Sequence, residues 1–206
     1  MAIRYACFVS YVHGNGQLLQ SFKEAVTNAL RDELEAFFDE LWIDKEMLDV
    51  PGQDLESTLA QAICQSVCVV VLFVPKYSSR EWCMRELATA LRIEKERLAQ
   101  LKSTNLRQSL VIPIMLRGEE DDLPAELRSK LWGDFRAFSL RNPDVVKDEQ
   151  QYKTIQDIAK HIYKVYKQME DLERAGHKWC PDDEKCTLAA ATVTPRTTLF
   201  PNRERA

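Results

Sequence analysis

The sequence predicts an α/β protein, an open sheet of five parallel strands with helices on both faces. Three observations carry this prediction. Apolar runs of strand length alternate along the chain with longer segments of helical period, the pattern of successive strand–helix units. The run Val67-Cys68-Val69-Val70-Val71-Leu72-Phe73-Val74 is apolar at every position, which suits a strand covered on both faces in the middle of a parallel sheet. The helical segments each carry one apolar stripe, as helices do when one side lies on a sheet and the other in water. Connections between parallel neighbours are then expected to be right-handed.

Taken in order, Tyr5 to Tyr11 is a short apolar run that ends at the turn signal His13-Gly14-Asn15-Gly16, a buried first strand. From Leu18 to Phe38 apolar residues recur with helical period, as at Phe22, Val26, Leu30 and Leu34. Leu41-Trp42-Ile43 reads as a second strand and Asp44 to Gly52 as the loop after it, closed by Pro51-Gly52. Leu55 to Ile63 is a helix with Asp54 as its cap. Val67 to Val74 is the third strand. Pro75 to Ser79 follows as a loop, with Ser79 capping a long helix that runs through Glu96 or beyond. Leu110 to Leu116 is a fourth strand, although Pro113 argues against a fully central place because proline cannot donate to a ladder. Glu119 to Asp122 is an acidic surface loop, Phe135 to Leu140 an edge-like fifth strand, and Ile155 to Leu172 a closing helix. Beyond Gly176 the periodicity stops, and Thr187 to Ala206 is rich in Thr, Pro and Arg. The expected organisation is one domain over residues 1–175 and a flexible tail or linker over 176–206.

The bulk chemistry excludes several function classes. With 206 residues the chain can bury one sizeable core. A net charge of -4, from 28 basic and 32 acidic residues, speaks against binding nucleic acid or an anionic membrane. The longest apolar run, Val67 to Pro75, is too short to span a bilayer, and the first ten residues lack the long apolar stretch of a secretion signal. A cytoplasmic location is expected. Six cysteines fit it: Cys7, Cys64, Cys68 and Cys83 lie in apolar or periodic segments and behave as small hydrophobes. His177, Cys180 and Cys186 fall one ligand short of a closed zinc site, so no metal is expected and two reduced thiols in a loose tail are the simpler reading.

In an open parallel sheet, ligands bind outside the carboxyl ends of the strands. Three segments reach that edge: Ser10 to Gly16, Asp44 to Gly52, and Pro75 to Glu86. The third is the most informative, because Trp82 and Glu86 are four apart at the start of a helix and so lie one turn apart on one side. An indole beside a carboxylate suits a flat ring joined to a sugar. The ring stacks on Trp82, while Glu86 accepts hydrogen bonds from ribose hydroxyls and stabilises an oxocarbenium-like transition state. Nicotinamide leaves a cationic nitrogen as a neutral molecule, so a second carboxyl acting as general acid is not needed. The bland alternative makes Trp82 a core anchor and Glu86 a solvated charge.

Set in their order along the chain, Phe8-Val9-Ser10-Tyr11, Pro51-Gly52, Ser66, and Pro75-Lys76-Tyr77-Ser78-Ser79-Arg80-Glu81-Trp82-Cys83-Met84-Arg85-Glu86-Leu87 resemble the Toll/interleukin-1 receptor (TIR) domain family over roughly residues 5 to 172. The Trp-Cys-x-x-Glu-Leu segment is most similar to plant and bacterial members. The resemblance implies a flavodoxin-like fold, and it implies cleavage of NAD as substrate rather than use of any cofactor. Glu86 takes the position of the family's catalytic glutamate and Trp82 that of its ring-stacking tryptophan, while Ser10 and Tyr11 fall where the first loop lines the pocket. It also implies self-association through TIR–TIR contacts, with Asp44 to Gly52 as the gating loop, and a downstream effector that senses the product. A place in bacterial anti-phage defence is a further implication. His13 to Gly16 precedes a helix whose N–H groups suit a phosphate, although a simple turn is the plainer reading.

Two further readings stay open: a non-catalytic TIR adaptor that recruits other TIR domains, and an enzyme that makes a cyclic or conjugated ADP-ribose signal instead of hydrolysing NAD. A phosphoryl-acceptor receiver is rejected because the first strand runs into Ser10-Tyr11, with no acidic residue before Glu24. No Walker loop, G-x-S-x-G elbow or H-E-x-x-H sequence occurs.

Overall fold

The computed structural model describes residues 3–13, 16–38, 55–101, 109–130, 133–137, 147–179 and 186–190. Its strands β1 (Tyr5–Tyr11), β2 (Ser66–Phe73), β3 (Val111–Met115) and β4 (Gly133–Asp134) form one parallel sheet in the order β1-β2-β3-β4. The helices are α1 (Gln17–Glu35), α2 (Leu55–Gln65), α3 (Glu81–Leu101), the single turn α4 (Ala125–Arg128) and α5 (Glu149–Arg174). All eight residues of β2 are buried, as its uninterrupted apolar sequence requires. Cover comes from two helix pairs, α1 with α5 and α2 with α3. The fold class is therefore the expected one.

Four strands are described where five were expected. The expected second strand at 41–43, the loop at 44–52 and the Asp54 cap all lie outside the described residues. The last strand is displaced: it occupies Gly133–Asp134, and Phe135 to Leu140 is not a strand over its described residues, because Arg136 and Ala137 form a turn. Phe135 still donates its N–H to the Met115 carbonyl at 2.8 Å, but its ring then plugs the core 6.4 Å from that of Phe22. An aromatic residue used as a plug looks, in sequence, like one used in a strand.

Pro113 lies in a strand with neighbours on both sides, against expectation. Parity explains it. Leu110 accepts from Val69 and Leu116 donates to Phe73, so the even-numbered residues of β3 exchange hydrogen bonds with β2. Pro113 faces the other way, and the described pairing with β4 begins one residue later, at Ile114. The missing N–H falls where no ladder bond of β2 needs it.

Helix starts differ from the sequence reading in one place. Ser79 is not the cap of α3; it closes a 3-10 turn over Pro75–Ser79 by donating its hydroxyl to the Lys76 carbonyl at 2.8 Å. Arg80 is extended, and α3 begins at Glu81. At the far end of the domain, Asp148 caps α5 by accepting from the Gln151 N–H at 3.0 Å. Gly176 ends it with φ of 95°, while His177 donates to the Leu172 carbonyl at 3.0 Å, a left-handed stop that favours glycine. The chain then doubles back, and Trp179 donates its indole N–H to the Met169 carbonyl at 2.8 Å.

One face of α3 carries buried charge. Glu94 accepts from the N–H groups of Leu110 (2.7 Å) and Val111 (3.0 Å) and from the Ser109 hydroxyl (2.7 Å), and it pairs with Lys130. Arg97 donates to the Ser66 carbonyl at 2.5 Å and to that of Cys64. These two side chains satisfy backbone groups at the end of α2 and at the amino ends of β2 and β3. Glu94→Leu is expected to destabilise the protein by about 3 kcal/mol, since it takes the acceptor from the half-buried Lys130 and from the N–H groups of Leu110 and Val111. Urea unfolding of the variant beside the parent measures this.

Candidate active site

Helix α3 runs antiparallel to the strands, so its first two turns stand at their carboxyl edge while Glu94 and Arg97 stand at the other. The side chains gathered at the carboxyl edge come from three elements. Ser10 is the second-last residue of β1, Tyr77 lies in the 3-10 turn after β2, and Glu86 lies in the second turn of α3. All three are fully buried, with relative exposure of 0% each. Ser10 Oγ donates to Glu86 Oε2 at 2.6 Å and lies 2.7 Å from Tyr77 Oη. Tyr77 Oη is also 3.1 Å from the Cys83 carbonyl, and the Cys83 thiol contacts the Tyr11 carbonyl at 3.6 Å.

Trp82 and Glu86 prove to be the reverse of their bland reading. The tryptophan is 42% exposed and the glutamate is withdrawn from water. Trp82 sits in the first turn of α3 with the Arg85 guanidinium 5.2 Å from its ring centre. Arg85 is itself held by an ion pair to Glu56 of α2. Beside Trp82 opens a cavity of about 560 Å³, lined also by Tyr11, His13, Leu55, Leu59, Arg80 and Cys83. Glu86 is not part of that lining. It lies one turn further along α3, behind the wall that Cys83 and the end of β1 provide.

Ser10 and Tyr11, paired in the sequence reading, point to opposite faces of the sheet as successive strand residues must. Ser10 faces α3. The Tyr11 ring faces α1, where the Lys23 ammonium lies 4.5 Å from its centre and the His13 ring 4.6 Å away. Lys23 is buried and donates to the Val12 carbonyl at 2.7 Å. The structure thus brings Ser10 to Glu86, and Tyr11 to the cavity beside Trp82. Sequence reasoning missed Tyr77, whose loop position gave no hint of burial, and Arg85, which looks like one more surface charge.

The tail also reaches this region. Thr89 of α3 accepts from the Ala189 N–H at 2.8 Å, Arg92 donates to the Thr187 carbonyl at 3.1 Å, and Arg85 donates to the Ala189 carbonyl at 3.4 Å. Cys186 and Leu188 are buried. Nothing in the composition of this segment announces those contacts. Cys180 lies outside the described residues, and among the described residues no group of three His, Cys, Asp or Glu side chains is placed to hold a metal. No described helix is long and apolar enough to cross a membrane.

With this geometry in hand, comparison with known proteins gives one decisive match. The TIR domain family model aligns with residues 8–144. The chain belongs to the TIR domain family. Among solved structures, the chain is similar to the TIR domains of the activated Roq1 resistosome directly recognizing the pathogen effector XopQ. That match has 18% identity and a TM-score of 0.43, and covers 81% of this chain and 98% of the other. No curated protein matches the sequence.

Burial in this TIR domain leaves a pH signature. It pushes the Cys7 thiol from 9.0 up to about 12, and holds the Cys68 thiol and the Tyr77 hydroxyl well above their ordinary values. For Tyr77 the negative charges of Cys83 and Glu86 add to that rise. The folded chain keeps these protons at a pH where the unfolded chain releases them. Their stabilisation is therefore complete below about pH 9 and is lost as pH rises toward 12, by up to about 1.4 kcal/mol per pH unit for each group. The urea midpoint should fall between pH 8 and pH 10.5, and Cys7→Ala should flatten that fall.

Proposed function

We propose that this TIR domain cleaves NAD, releasing nicotinamide, with Glu86 as the catalytic residue and Trp82 as the stacking surface. The observation that carries the reading is a carboxylate buried at the carboxyl edge of the sheet, one turn behind an exposed tryptophan that walls an open cavity. Burying a carboxylate is costly, and a fold that needed only packing there would do better with an apolar side chain. Glu94 sits at the opposite edge, where strand N–H groups and Lys130 account for its presence.

In this reading the nicotinamide ring stacks on Trp82 and the rest of the dinucleotide occupies the cavity, whose volume is of the size that takes small ligands. Substrate entry displaces the wall formed by Cys83 and the end of β1, so that Glu86 meets the ribose. The C–N glycosidic bond then breaks. Nicotinamide keeps the electron pair and leaves neutral, and the Glu86 carboxylate stabilises the oxocarbenium ion left on the sugar. Water adds and loses a proton, giving ADP-ribose; an internal or second nucleophile in place of water gives a cyclic or conjugated product. Self-association through TIR–TIR contacts, an effector that senses the product, and a role in anti-phage defence belong to the same reading. A second reading, an adaptor that only binds other TIR domains, is favoured by one observation: Glu86 does not line the cavity.

The two readings part on one assay. Purified protein incubated with NAD should release nicotinamide, detected by chromatography and mass spectrometry, and Glu86→Gln should abolish the release while remaining folded. Turnover by Glu86→Gln equal to that of the parent would exclude the catalytic role, and no turnover by the parent at any protein concentration would leave the adaptor. Trp82→Ala should raise KM by roughly threefold to tenfold, the worth of about 0.5–1.5 kcal/mol of stacking, and Trp82→Phe should do less. Because Trp82 is exposed, neither change should lower the melting temperature appreciably. Specific activity should rise faster than linearly with protein concentration if neighbouring TIR domains complete the active form.

A further inference from the structure

We propose that Tyr77 is a positioning residue that acts on Glu86 through Ser10, and that Ser10 serves as the relay between them rather than as a contact to substrate. The inference rests on the catalytic reading of Glu86. It starts from proton counting in a site closed to water. Ser10 has one hydroxyl proton, and the carboxylate of Glu86 at 2.6 Å can only accept, so that proton points to Oε2. The Ser10 oxygen is then available only as an acceptor toward Tyr77 at 2.7 Å. Tyr77 has one proton of its own and keeps it, since burial and the nearby negative charges oppose its loss. Between the Ser10 oxygen at 2.7 Å and the Cys83 carbonyl at 3.1 Å, the shorter contact takes the larger share. The chain therefore has one polarity: Tyr77 donates to Ser10, and Ser10 donates to Glu86.

That polarity has a consequence for the carboxylate. Oε2 is committed to Ser10, which fixes the rotation of the carboxyl group and makes Oε1 the oxygen offered to the ribose. The relay also binds three elements together, the end of β1, the turn after β2 and the second turn of α3. The Tyr77 ring stays in place without its hydroxyl, because it packs 6.0 Å from the Phe73 ring and is fully buried. Ser10 spends its one proton on Glu86 and turns its oxygen to Tyr77, which leaves it no donor for a ligand. The titratable groups that act on the Tyr77 hydroxyl include Cys83 and Glu86, both from α3.

Tyr77→Phe, Ser10→Ala and the double variant test this with two readouts. The first is the infrared carboxylate band of Glu86, isolated as the difference between each protein and its Glu86→Gln counterpart. Both single substitutions should move this band in the same direction, Ser10→Ala further, and the double variant should coincide with Ser10→Ala because a broken relay cannot be broken twice. The second is NAD cleavage. Each single substitution should lower kcat by about tenfold, the weight of one hydrogen bond to a charged group, with KM within about twofold of the parent. A band that stays at the parent position in Tyr77→Phe overturns the relay. A band that moves while kcat does not overturns the positioning role. Failure of the catalytic reading shows separately, as unchanged turnover in Glu86→Gln, and the band measurement does not depend on it. If Ser10→Ala fails to fold, Tyr77→Phe alone decides both readouts, since it removes a single oxygen.

Discussion

Strand β2 is sealed on both faces, and much of the molecule follows from that constraint. A strand with no wet side can satisfy its backbone only through its neighbours and can place polar chemistry only beyond its ends. Apolar side chains from α1 with α5 and from α2 with α3 close the faces. The ends are left to side chains that reach in from a helix, and α3 supplies most of them. Its length matters here: at about 1.5 Å per residue, its 21 residues span both edges of the sheet. One helix face thus carries Glu86 at the carboxyl edge and Glu94 and Arg97 at the amino edge.

The two edges use buried charge differently. At the amino edge Glu94 and Arg97 meet backbone groups of β2, β3 and the end of α2, and Lys130 balances the carboxylate. This is polar chemistry in the service of the fold. At the carboxyl edge the partners of Glu86 include a serine and, through it, a tyrosine, and an open cavity lies one turn away. Buried hydroxyl networks of this kind hold a charged group in one rotamer at little cost when each proton has an acceptor. The proposed chemistry needs that rigidity, and it also needs the wall of Cys83 and Tyr11 to yield.

Arg85 joins this site to the tail. It lies over Trp82, pairs with Glu56 of α2, and donates to the carbonyl of Ala189. A guanidinium can do all three because it is planar and carries several donors in a fixed fork. The segment 186–190 is held by Arg85, Thr89 and Arg92 through its backbone and by the burial of Cys186 and Leu188.

By itself the sequence determined the fold class, because strand and helix periodicities are local properties and the run from Val67 to Val74 admits only a doubly covered strand. It also placed Glu86 and Trp82 at the carboxyl edge of the sheet, since that follows from chain order in a parallel sheet. Tertiary structure decided the rest. Whether Pro113 can sit between two strands depends on which neighbour each residue of β3 faces, a parity that no single strand's sequence contains. Phe135 as plug or strand residue depends on what packs opposite it. The inversion by which Trp82 is exposed and Glu86 buried depends on how α3 is rotated against β1, and the union of Ser10, Tyr77 and Glu86 depends on three segments far apart in the chain meeting at one point. Local pattern fixes what each segment is; only packing fixes which polar atoms it finds when water is excluded.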